Sequence, residues 1–318
     1  MKDPISIFFA ADDKYARHCA VTITSIINNT ASPDRLEFYI LSSDISKENQ
    51  SNLEKLCADC AAKISIVNVD LTLFASLPTI LEHLNLNMYS RLLIPDLCPD
   101  RKKIVYLDCD ILVLSDIAEL FDLEMDNKPI AAIPHIQLPY QEVFVETFNV
   151  RDNDIYFNSG VLVIDTELWR QKQYGQTILE YCSNNIAQLH FADQDALNVV
   201  FWENYYHLPG TWNVETRLYK EKLMGVPQDK KTNGRIKSPK ILHYTGPNKP
   251  WSSENYVPMR HLYARYSEQL SNDFEWLPFN PEPKRCSTPR LLKFIWTCIY
   301  FRTSCSFSNF FPPKSTQS

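Results

Sequence analysis

Short apolar runs alternate with segments of helical periodicity over the first two-thirds of this 318-residue chain. Apolar runs bounded by turn signals are typical of buried strands, whereas apolar residues that recur with the helical period are typical of packed helices. The pattern predicts strands over residues 5–11, 36–41, 64–69, 104–107, 130–133, 160–164 and 240–244. It predicts helices over residues 17–28, 47–60, 90–93, 117–121, 167–184 and 194–202.

This alternation of strands and helices is typical of βαβ units and predicts an α/β fold with a mostly parallel sheet. Ligands of open parallel sheets bind at the carboxyl ends of the strands, so the residues that follow each strand are the candidates for chemistry. Acidic residues follow the first and fourth predicted strands, and a histidine lies in the last: Asp12, Asp13, Asp108, Asp110 and His243. We expect these side chains to converge on one edge of the sheet.

The distribution of glycine limits the ways in which this fold can hold a nucleotide. The chain has six glycines, and all of them lie at or beyond Gly160. The first βα turn therefore contains neither a dinucleotide-binding fingerprint nor a P-loop, which argues against an oxidoreductase of the Rossmann type. A bound diphosphate would need another partner, and a divalent cation held by carboxylates is the usual substitute.

The segment Asp108-Cys109-Asp110 supplies carboxylates of this kind between two apolar runs, KIVYL and ILVL. Two carboxylates this close in an apolar setting repel each other unless a cation lies between them. His243 could complete the site through one imidazole nitrogen. The alternatives are an acidic turn without metal and a histidine packed in the core, but the position at a strand end favours a metal site.

Six segments resemble, in order, the signature blocks of glycosyltransferase family 8 and together span roughly residues 5–255. They are residues 10–16 (AADDKYA), 88–96 (MYSRLLIPD), 104–113 (IVYLDCDILV), 156–165 (YFNSGVLVID), 193–198 (DQDALN) and 242–251 (LHYTGPNKPW). The resemblance is greatest to bacterial lipooligosaccharide and lipopolysaccharide galactosyl- and glucosyltransferases, with glycogenin as a more distant relative. It implies a GT-A fold, a UDP-galactose or UDP-glucose donor, Mn²⁺ or alternatively Mg²⁺, and retention of the anomeric configuration.

The resemblance also assigns roles to single residues. The residues implied to hold the donor are Ala10, Asp12, Tyr15, Arg91, Asp108, Gly246 and Lys249. Those implied around the donor sugar, as the catalytic set, are Asn158, Asp193, Gln194 and Asp195. Asp108, Asp110 and His243 are implied as metal ligands. His83 matches a position near the acceptor, although its leucine-rich surroundings fit a packing role almost as well.

Two positions depart from the galactosyltransferase pattern. Lys14 stands where that enzyme has an asparagine near the donor, and Pro134-His135 replaces an aspartate that helps to bind the acceptor. From the resemblance as a whole, we expect transfer of galactose or glucose to a saccharide acceptor, with the lipopolysaccharide or lipooligosaccharide core as the favoured acceptor. A glycogenin-like enzyme that glucosylates its own tyrosine and a non-catalytic nucleotide-sugar-binding module stay open as alternatives.

Retention of configuration allows two mechanisms through an oxocarbenium-like centre. Double displacement needs a nucleophile, and the residue at the matching position is Gln194, whose amide is a poor one. Attack by the acceptor hydroxyl on the face that UDP leaves is therefore favoured, with Asp193, Gln194 and Asp195 orienting the sugar. Asp193 and Asp195 could alternatively cap the helix that follows them.

The C-terminal segment differs in composition from the rest of the chain, and the whole chain carries a net charge of −6. Residues 284–318 contain six basic side chains and no acidic one. An acidic body argues against nucleic-acid binding, and a basic aromatic tail indicates an anionic surface as partner. Within residues 289–302 an apolar stripe is expected on one helical face, formed by Leu291, Leu292, Ile295 and Ile299.

These features predict a catalytic domain over residues 1–277 and, over residues 278–318, a proline-containing linker followed by a basic amphipathic tail. The tail is too short to span a bilayer and would lie in the membrane interface. A helix packed on the catalytic domain is the alternative. No transmembrane helix or signal peptide is expected elsewhere, so the protein is predicted to be cytoplasmic and peripherally bound to the inner face of the cytoplasmic membrane.

Overall fold

Ten strands form two sheets in the computed structural model, which describes residues 3–75, 77, 86–135, 140–152, 154–251 and 256–271. The strands are β1 (Ile5–Ala10), β2 (Leu36–Ser42), β3 (Lys63–Asn68), β4 (Lys103–Leu107), β5 (Ile111–Val113), β6 (Ile130–Pro134), β7 (Phe157–Asp165), β8 (Tyr206–His207), β9 (Val214–Glu215) and β10 (Ile241–His243). The large sheet has the order β3-β2-β1-β4-β7-β6-β8, and the small sheet has the order β5-β10-β9.

Helices cover both faces of the large sheet. They are α1 (Ala16–Asn29), α2 (Lys47–Ala58), α3 (Ile94–Leu97), α4 (Ala118–Phe121), α5 (Tyr140–Phe148), α6 (Thr166–Gln171), α7 (Tyr174–Asn184), α8 (Asp193–Val200), α9 (Thr216–Leu223), α10 (Lys230–Lys237) and α11 (Arg260–Ser271). Short 3₁₀ helices lie at Pro33–Arg35, Leu71–Phe74, Leu86–Leu93 and Gly210–Trp212.

The large sheet is mostly parallel, as the alternating pattern predicts. Among its described strands, β7 alone runs antiparallel to its neighbours, β4 and β6. Strands β1 to β4 pair in parallel, and so do β6 and β8. The expected α/β fold of the GT-A type is confirmed for the described residues.

Side chains from the strands enter two separate cores because the central strands β1, β4, β6 and β7 are buried on both faces. In β1, Ile5, Ile7 and Phe9 belong to one core and Phe8 belongs to the other. The first core takes in apolar residues of α1, α2 and the small sheet. The second takes in residues of α6, α7 and α8, with Trp169 as one of its largest fully buried side chains.

Several predicted boundaries were wrong in instructive ways. The helix expected over residues 167–184 is interrupted between α6 and α7 by Gln173, whose φ of 54° lies in the left-handed region. A glutamine carries no local signal for that conformation, unlike glycine. The strand expected at 160–164 begins at Phe157, so Asn158 lies inside β7 and not before it. The helix expected at 90–93 is part of a 3₁₀ helix.

The strand expected over residues 240–244 exists as β10, but it belongs to the small sheet. Helices α5, α9, α10 and α11 did not stand out in the sequence pattern. His83, the linker at 278–289 and the predicted tail helix at 289–302 lie outside the described residues. Within the part that the structure describes, no helix combines the length and apolar composition needed to cross a membrane.

The two sheets meet at the segment Asp108-Cys109-Asp110, which joins β4 of the large sheet to β5 of the small one. The Asp108 backbone N–H donates to the carbonyl of Gly160 in β7 at 2.9 Å. On the other side, the Tyr244 N–H donates to the Asp110 carbonyl at 2.9 Å. The Thr22 hydroxyl of α1 lies 2.8 Å from the carbonyl oxygen of Ile111, to which it donates. The acidic segment is therefore held from three sides.

Candidate active site

Asp108, Asp110 and His243 form one cluster at this junction. Each offers one ligand atom, and the three atoms lie within 4.8 Å of one another. His243 Nε2 is 3.1 Å from Asp110 Oδ1 and 3.7 Å from Asp108 Oδ2. In a six-coordinate site for a small divalent cation, adjacent ligand atoms are about 3 Å apart. A mixture of oxygen and imidazole ligands suits divalent metals. The three side chains therefore fit a divalent cation without rearrangement of the backbone.

The cluster is buried in the protein on one side and exposed to solvent on the other. The side chains of Asp110 and His243 are 10% and 2% exposed, whereas that of Asp108 is 32% exposed. Lys249 forms an ion pair with Asp110 and also donates to the carbonyl of Tyr244 at 2.9 Å. A ligand approaching from solvent would thus meet Asp108 first.

Charge compensation sets the ionisation of the buried members. Burial by itself would raise the pKa of Asp110, but Lys249 and His243 outweigh it and hold this pKa below its ordinary value. Burial by itself would lower the pKa of His243, but Asp110 and Asp108 outweigh it and raise this pKa. The site therefore favours positive charge beside its carboxylates.

Gly160 makes the cluster sterically possible. A Cβ atom at this position in β7 would lie 2.4 Å from His243 Cε1 and 2.5 Å from Asp108 Oδ2, far inside van der Waals contact. It would also lie 3.1 Å from Asn158 Oδ1. Glycine is required here by the close approach of side chains to the strand backbone.

Arg91 and Asp193 form a buried, bidentate ion pair behind Asp108. Arg91 Nε lies 2.6 Å from Asp193 Oδ2, and Arg91 Nη2 lies 3.1 Å from Asp193 Oδ1. Arg91 Nη1 donates to the Ser159 carbonyl at 3.0 Å and lies 3.6 Å from Asp108 Oδ1. Burial raises the pKa of Asp193, and the neighbouring guanidinium opposes that rise. Arg91 thus ties the sequence DQD to the acidic segment.

The amide of Gln194 is locked by the protein on both sides. Its Oε1 accepts from Asn158 Nδ2 at 3.1 Å, from the Ser159 N–H at 3.0 Å and from Ser159 Oγ at 3.2 Å. Its Nε2 donates to the Tyr156 hydroxyl at 2.9 Å. Gln194 and Asn158 therefore lie side by side, as the predicted catalytic set requires, but the amide oxygen is already fully engaged.

Asp195 lies deeper, enclosed by donors. Its Oδ2 accepts from the backbone N–H groups of His190 at 2.6 Å and Phe191 at 2.9 Å and from the Tyr140 hydroxyl at 3.1 Å. Its Oδ1 accepts from the Tyr156 hydroxyl at 2.6 Å. The N-cap position of α8 is Ala192, so neither acid of DQD occupies it. Asp195 instead binds the turn before the helix.

Two acids follow β1, and the structure separates their roles. Asp12 Oδ1 accepts from the Tyr15 N–H at 2.9 Å at the start of α1. Asp13 accepts from the Ser46 N–H at 2.8 Å and from Asn49 Nδ2 at 2.7 Å, and these bonds lower its pKa. Asp13 therefore anchors the start of α2, whereas Asp12 binds the turn that leads into α1.

Aromatic side chains surround the predicted uridine position. Tyr15 lies edge-on to Trp251 with ring centroids 5.8 Å apart, and Trp251 stacks on His18 at 3.7 Å. Ala10 ends β1 beside them, and its carbonyl lies 3.5 Å from the Cys109 thiol. Trp251 and His18 were not singled out from the sequence, although Trp251 closes the block at residues 242–251.

The turn after β10 returns the chain to the cluster. Gly246 has a φ of 80°, a conformation that side-chain-bearing residues rarely adopt. This turn brings Lys249 back to Asp110. Of the predicted donor residues, Lys249 is therefore adjacent to the acidic segment, and Gly246 lies in the turn that leads to it.

A second cluster of charged side chains lies around His135. His135 forms an ion pair with Glu215, and Arg217 Nε lies 3.7 Å from the same carboxylate. Burial by itself would raise the pKa of Glu215, but these two neighbours and His243 outweigh it and lower this pKa. The sequence analysis did not single out Glu215. This residue pairs with His135, which lies at the position that departs from the galactosyltransferase pattern.

Comparison with known proteins identifies relatives of this chain. The chain is 31% identical to general stress protein A of Bacillus subtilis over 275 residues, which are 83% of this chain and 94% of that protein. It is 26% identical to the lipopolysaccharide 1,3-galactosyltransferase of Salmonella typhimurium over 288 residues, which are 86% and 80% of the two chains.

Among solved structures, the galactosyltransferase LgtC in complex with donor and acceptor sugar analogs is similar, with a TM-score of 0.74 and 25% sequence identity. The match covers 86% of this chain and 98% of that one. The model of the family described as Glycosyl transferase family 8 matches residues 6–255, which include both sheets and every described member of the predicted site. The chain is therefore a member of glycosyl transferase family 8.

Proposed function

We propose that this glycosyltransferase moves galactose or glucose from a UDP-sugar to a saccharide acceptor with retention of configuration. The observation that carries the proposal is the cluster of Asp108, Asp110 and His243 beside Lys249. We assign these three side chains as ligands of a divalent cation, Mn²⁺ in the first place and Mg²⁺ as the alternative. The alternative hypothesis is a non-catalytic module that binds a nucleotide sugar. Such a module would not need the sequence DQD (residues 193–195) to be held in place by hydrogen bonds.

Charge supports a diphosphate as the ligand at this place. A bound divalent cation would neutralise the diphosphate and stabilise the charge that develops on the departing UDP. Lys249 would add a second positive charge on the same side. Ala10, Asp12 and Tyr15 would hold the uridine, and Gly246 would let the backbone approach the phosphates.

The hydrogen bonds of Gln194 support same-face attack over double displacement. A nucleophile must present a free lone pair to the anomeric carbon, and Gln194 Oε1 already accepts three hydrogen bonds. The acceptor hydroxyl would attack from the face that UDP leaves and pass its proton to the departing phosphate oxygen. Asn158, Asp193 and Gln194 would orient the sugar, while Asp195 and Arg91 hold them in place.

The acceptor is proposed from a relative and from the altered pocket. The similar Salmonella enzyme is named a lipopolysaccharide 1,3-galactosyltransferase, and we propose a lipopolysaccharide or lipooligosaccharide core saccharide here. His135, paired with Glu215, would face this acceptor together with His83. A glycogenin-like enzyme would add hexose to its own chain, so an unchanged intact mass after incubation with UDP-glucose separates the two readings.

We also propose the division into a catalytic domain over residues 1–277 and a linker with a membrane-associating tail over residues 278–318. The tail would hold a cytoplasmic enzyme on the anionic inner face of the membrane, near a lipid-linked acceptor. The six basic and no acidic side chains of residues 284–318 support this role.

Removal of the metal is the first test. We expect hydrolysis of UDP-galactose or UDP-glucose to need Mn²⁺ or Mg²⁺, to stop in EDTA and to fall at least about 100-fold in Asp110→Asn, because an amide is a far weaker metal ligand. UDP release is the measurement, and Asp59→Asn, at an exposed acid ending α2, is the matched control. Full turnover in excess chelator contradicts the metal assignment.

A second test uses the close contact at Gly160. Gly160→Ala should push His243 and Asp108 apart, so we expect Mn²⁺ affinity and UDP release to fall by about tenfold or more while the protein still folds. Gly234→Ala is the control, because a Cβ there meets no atom within 4 Å and alanine favours its helix. Unchanged Mn²⁺ affinity in Gly160→Ala, measured by calorimetry, would show that the cluster is not the metal site.

A third test addresses the mechanism. We expect Gln194→Ala to keep residual turnover and no hexose to be found on Gln194 in the wild-type enzyme, since its amide oxygen is engaged by three donors. Mass spectrometry of enzyme quenched with UDP-sugar measures the adduct, with Gln188→Ala as the control. A hexose trapped on Gln194 would establish double displacement instead.

A fourth test concerns the tail. We expect replacement of its basic residues by glutamine to weaken binding to anionic vesicles, since each contributes on the order of 1 kcal/mol near such a surface. The residues are Lys284, Arg285, Arg290, Lys293, Arg302 and Lys314. Flotation at low and high salt is the measurement, with neutral vesicles as the control. UDP release should stay unchanged, and its loss would indicate that the tail packs on the catalytic domain.

A further inference from the structure

A continuous series of side-chain hydrogen bonds runs from the proposed metal site to the floor of the sugar site. It connects, in order, His243, Asn213, Asn158, Gln194, Tyr156 and Asp195. Asn213 is the member that joins the two halves. Its Oδ1 lies 2.9 Å from His243 Nδ1, and its Nδ2 donates to Asn158 Oδ1 at 2.8 Å.

Backbone N–H groups, which can only donate, set the direction of this series. The Ser159 N–H donates to Gln194 Oε1 at 3.0 Å, which identifies that atom as the amide oxygen. The Gly160 N–H donates to Asn158 Oδ1 at 3.0 Å, which does the same for Asn158. Each amide orientation is therefore determined by a neighbour that cannot reverse its role.

The direction carries through Asn213 to the imidazole. Since Asn158 Oδ1 accepts, Asn213 must point its amide nitrogen at it. Its carbonyl oxygen then faces His243 Nδ1. This oxygen can only accept, so His243 Nδ1 must carry the hydrogen and donate it in the hydrogen bond. A neutral imidazole protonated on Nδ1 presents the lone pair of Nε2, and Nε2 is the atom that faces Asp108 and Asp110.

Local structure holds Asn213 in place. The residue is 6% exposed and lies between the 3₁₀ helix Gly210–Trp212 and β9. Strand β9 pairs in parallel with β10, and Glu215 lies opposite His243 in that register. An amide can serve both neighbours because it accepts through its oxygen and donates through its nitrogen.

We propose that Asn213 is a positioning residue that couples the metal ligand His243 to the sugar-site residues Asn158 and Gln194. It holds His243 in the tautomer that can bind a metal through Nε2, and it holds the Asn158 amide in the orientation that locks Gln194. Partners of this kind orient metal-binding histidines and affect metal affinity. The inference rests on the proposed metal site.

Two substitutions separate the two functions of the amide. Asn213→Ala removes both contacts, so Mn²⁺ affinity should fall about 10- to 100-fold, as is usual for loss of such a partner. Asn213→Asp keeps an acceptor for the Nδ1 proton but replaces the donor by an oxygen facing Asn158 Oδ1. Its Mn²⁺ affinity should not fall, whereas its kcat for UDP-sugar hydrolysis at saturating Mn²⁺ should fall about tenfold.

Calorimetric Mn²⁺ titration and steady-state UDP release on the full-length protein are the two measurements. Asn29→Ala is the control, because that amide donates to the carbonyls of Ser25 and Val113 at the far end of α1. Its Mn²⁺ affinity and kcat should match those of the wild type.

The outcomes are distinguishable. Wild-type affinity in Asn213→Ala, or wild-type kcat in Asn213→Asp, overturns the inference while the metal site stands. Absence of Mn²⁺ binding by the wild-type protein removes the proposed metal site and the inference together. If Asn213→Ala does not fold, the near-isosteric Asn213→Asp still decides the matter, because only a positioning role separates metal affinity from kcat.

Discussion

The repulsion between Asp108 and Asp110 is the constraint on which the rest of the site depends. The two carboxylates are brought together because one short segment joins the large sheet to the small one, and Asp110 is largely buried there. Unpaired charges at such a place would be strongly destabilising. The fold answers with positive charge on opposite sides, Lys249 on Asp110 and Arg91 behind Asp108, and with the imidazole of His243 against Asp110. The charge of the acidic segment is therefore balanced by side chains of the fold itself.

Close packing and hydrogen bonding convert this electrostatic arrangement into a defined geometry. Gly160 lets the side chains of Asp108 and His243 lie directly against the backbone of β7. The amides of Asn158, Gln194 and Asn213 then fill the space behind them, and each is engaged through both of its polar atoms. Buried polar networks rigidify a site when every member is satisfied. The sugar-site residues are therefore ordered by the protein itself.

The donor and acceptor sides differ in how closely they follow the family pattern. On the donor side, the described residues implied by the resemblance lie around one acidic segment, and the family membership is shown independently. On the acceptor side, His135 is drawn into an ion pair with Glu215 and no longer resembles the acidic residue it replaces. The pairing of His135 with Glu215 therefore marks a position at which this chain departs from the galactosyltransferase pattern.

The sequence by itself determined the α/β class, six of the seven strands of the large sheet, and the acids and histidine that cluster, because burial periodicity and short motifs are local properties. It could not determine that β10 lies in a second sheet, that Gln173 ends a helix in a left-handed conformation, or that Asn158 lies within β7. Asn213 and Glu215 stand in no motif, since their importance comes from partners distant in the chain. Only the tertiary structure decides such contacts, because amide orientation and charge pairing depend on which strands become neighbours.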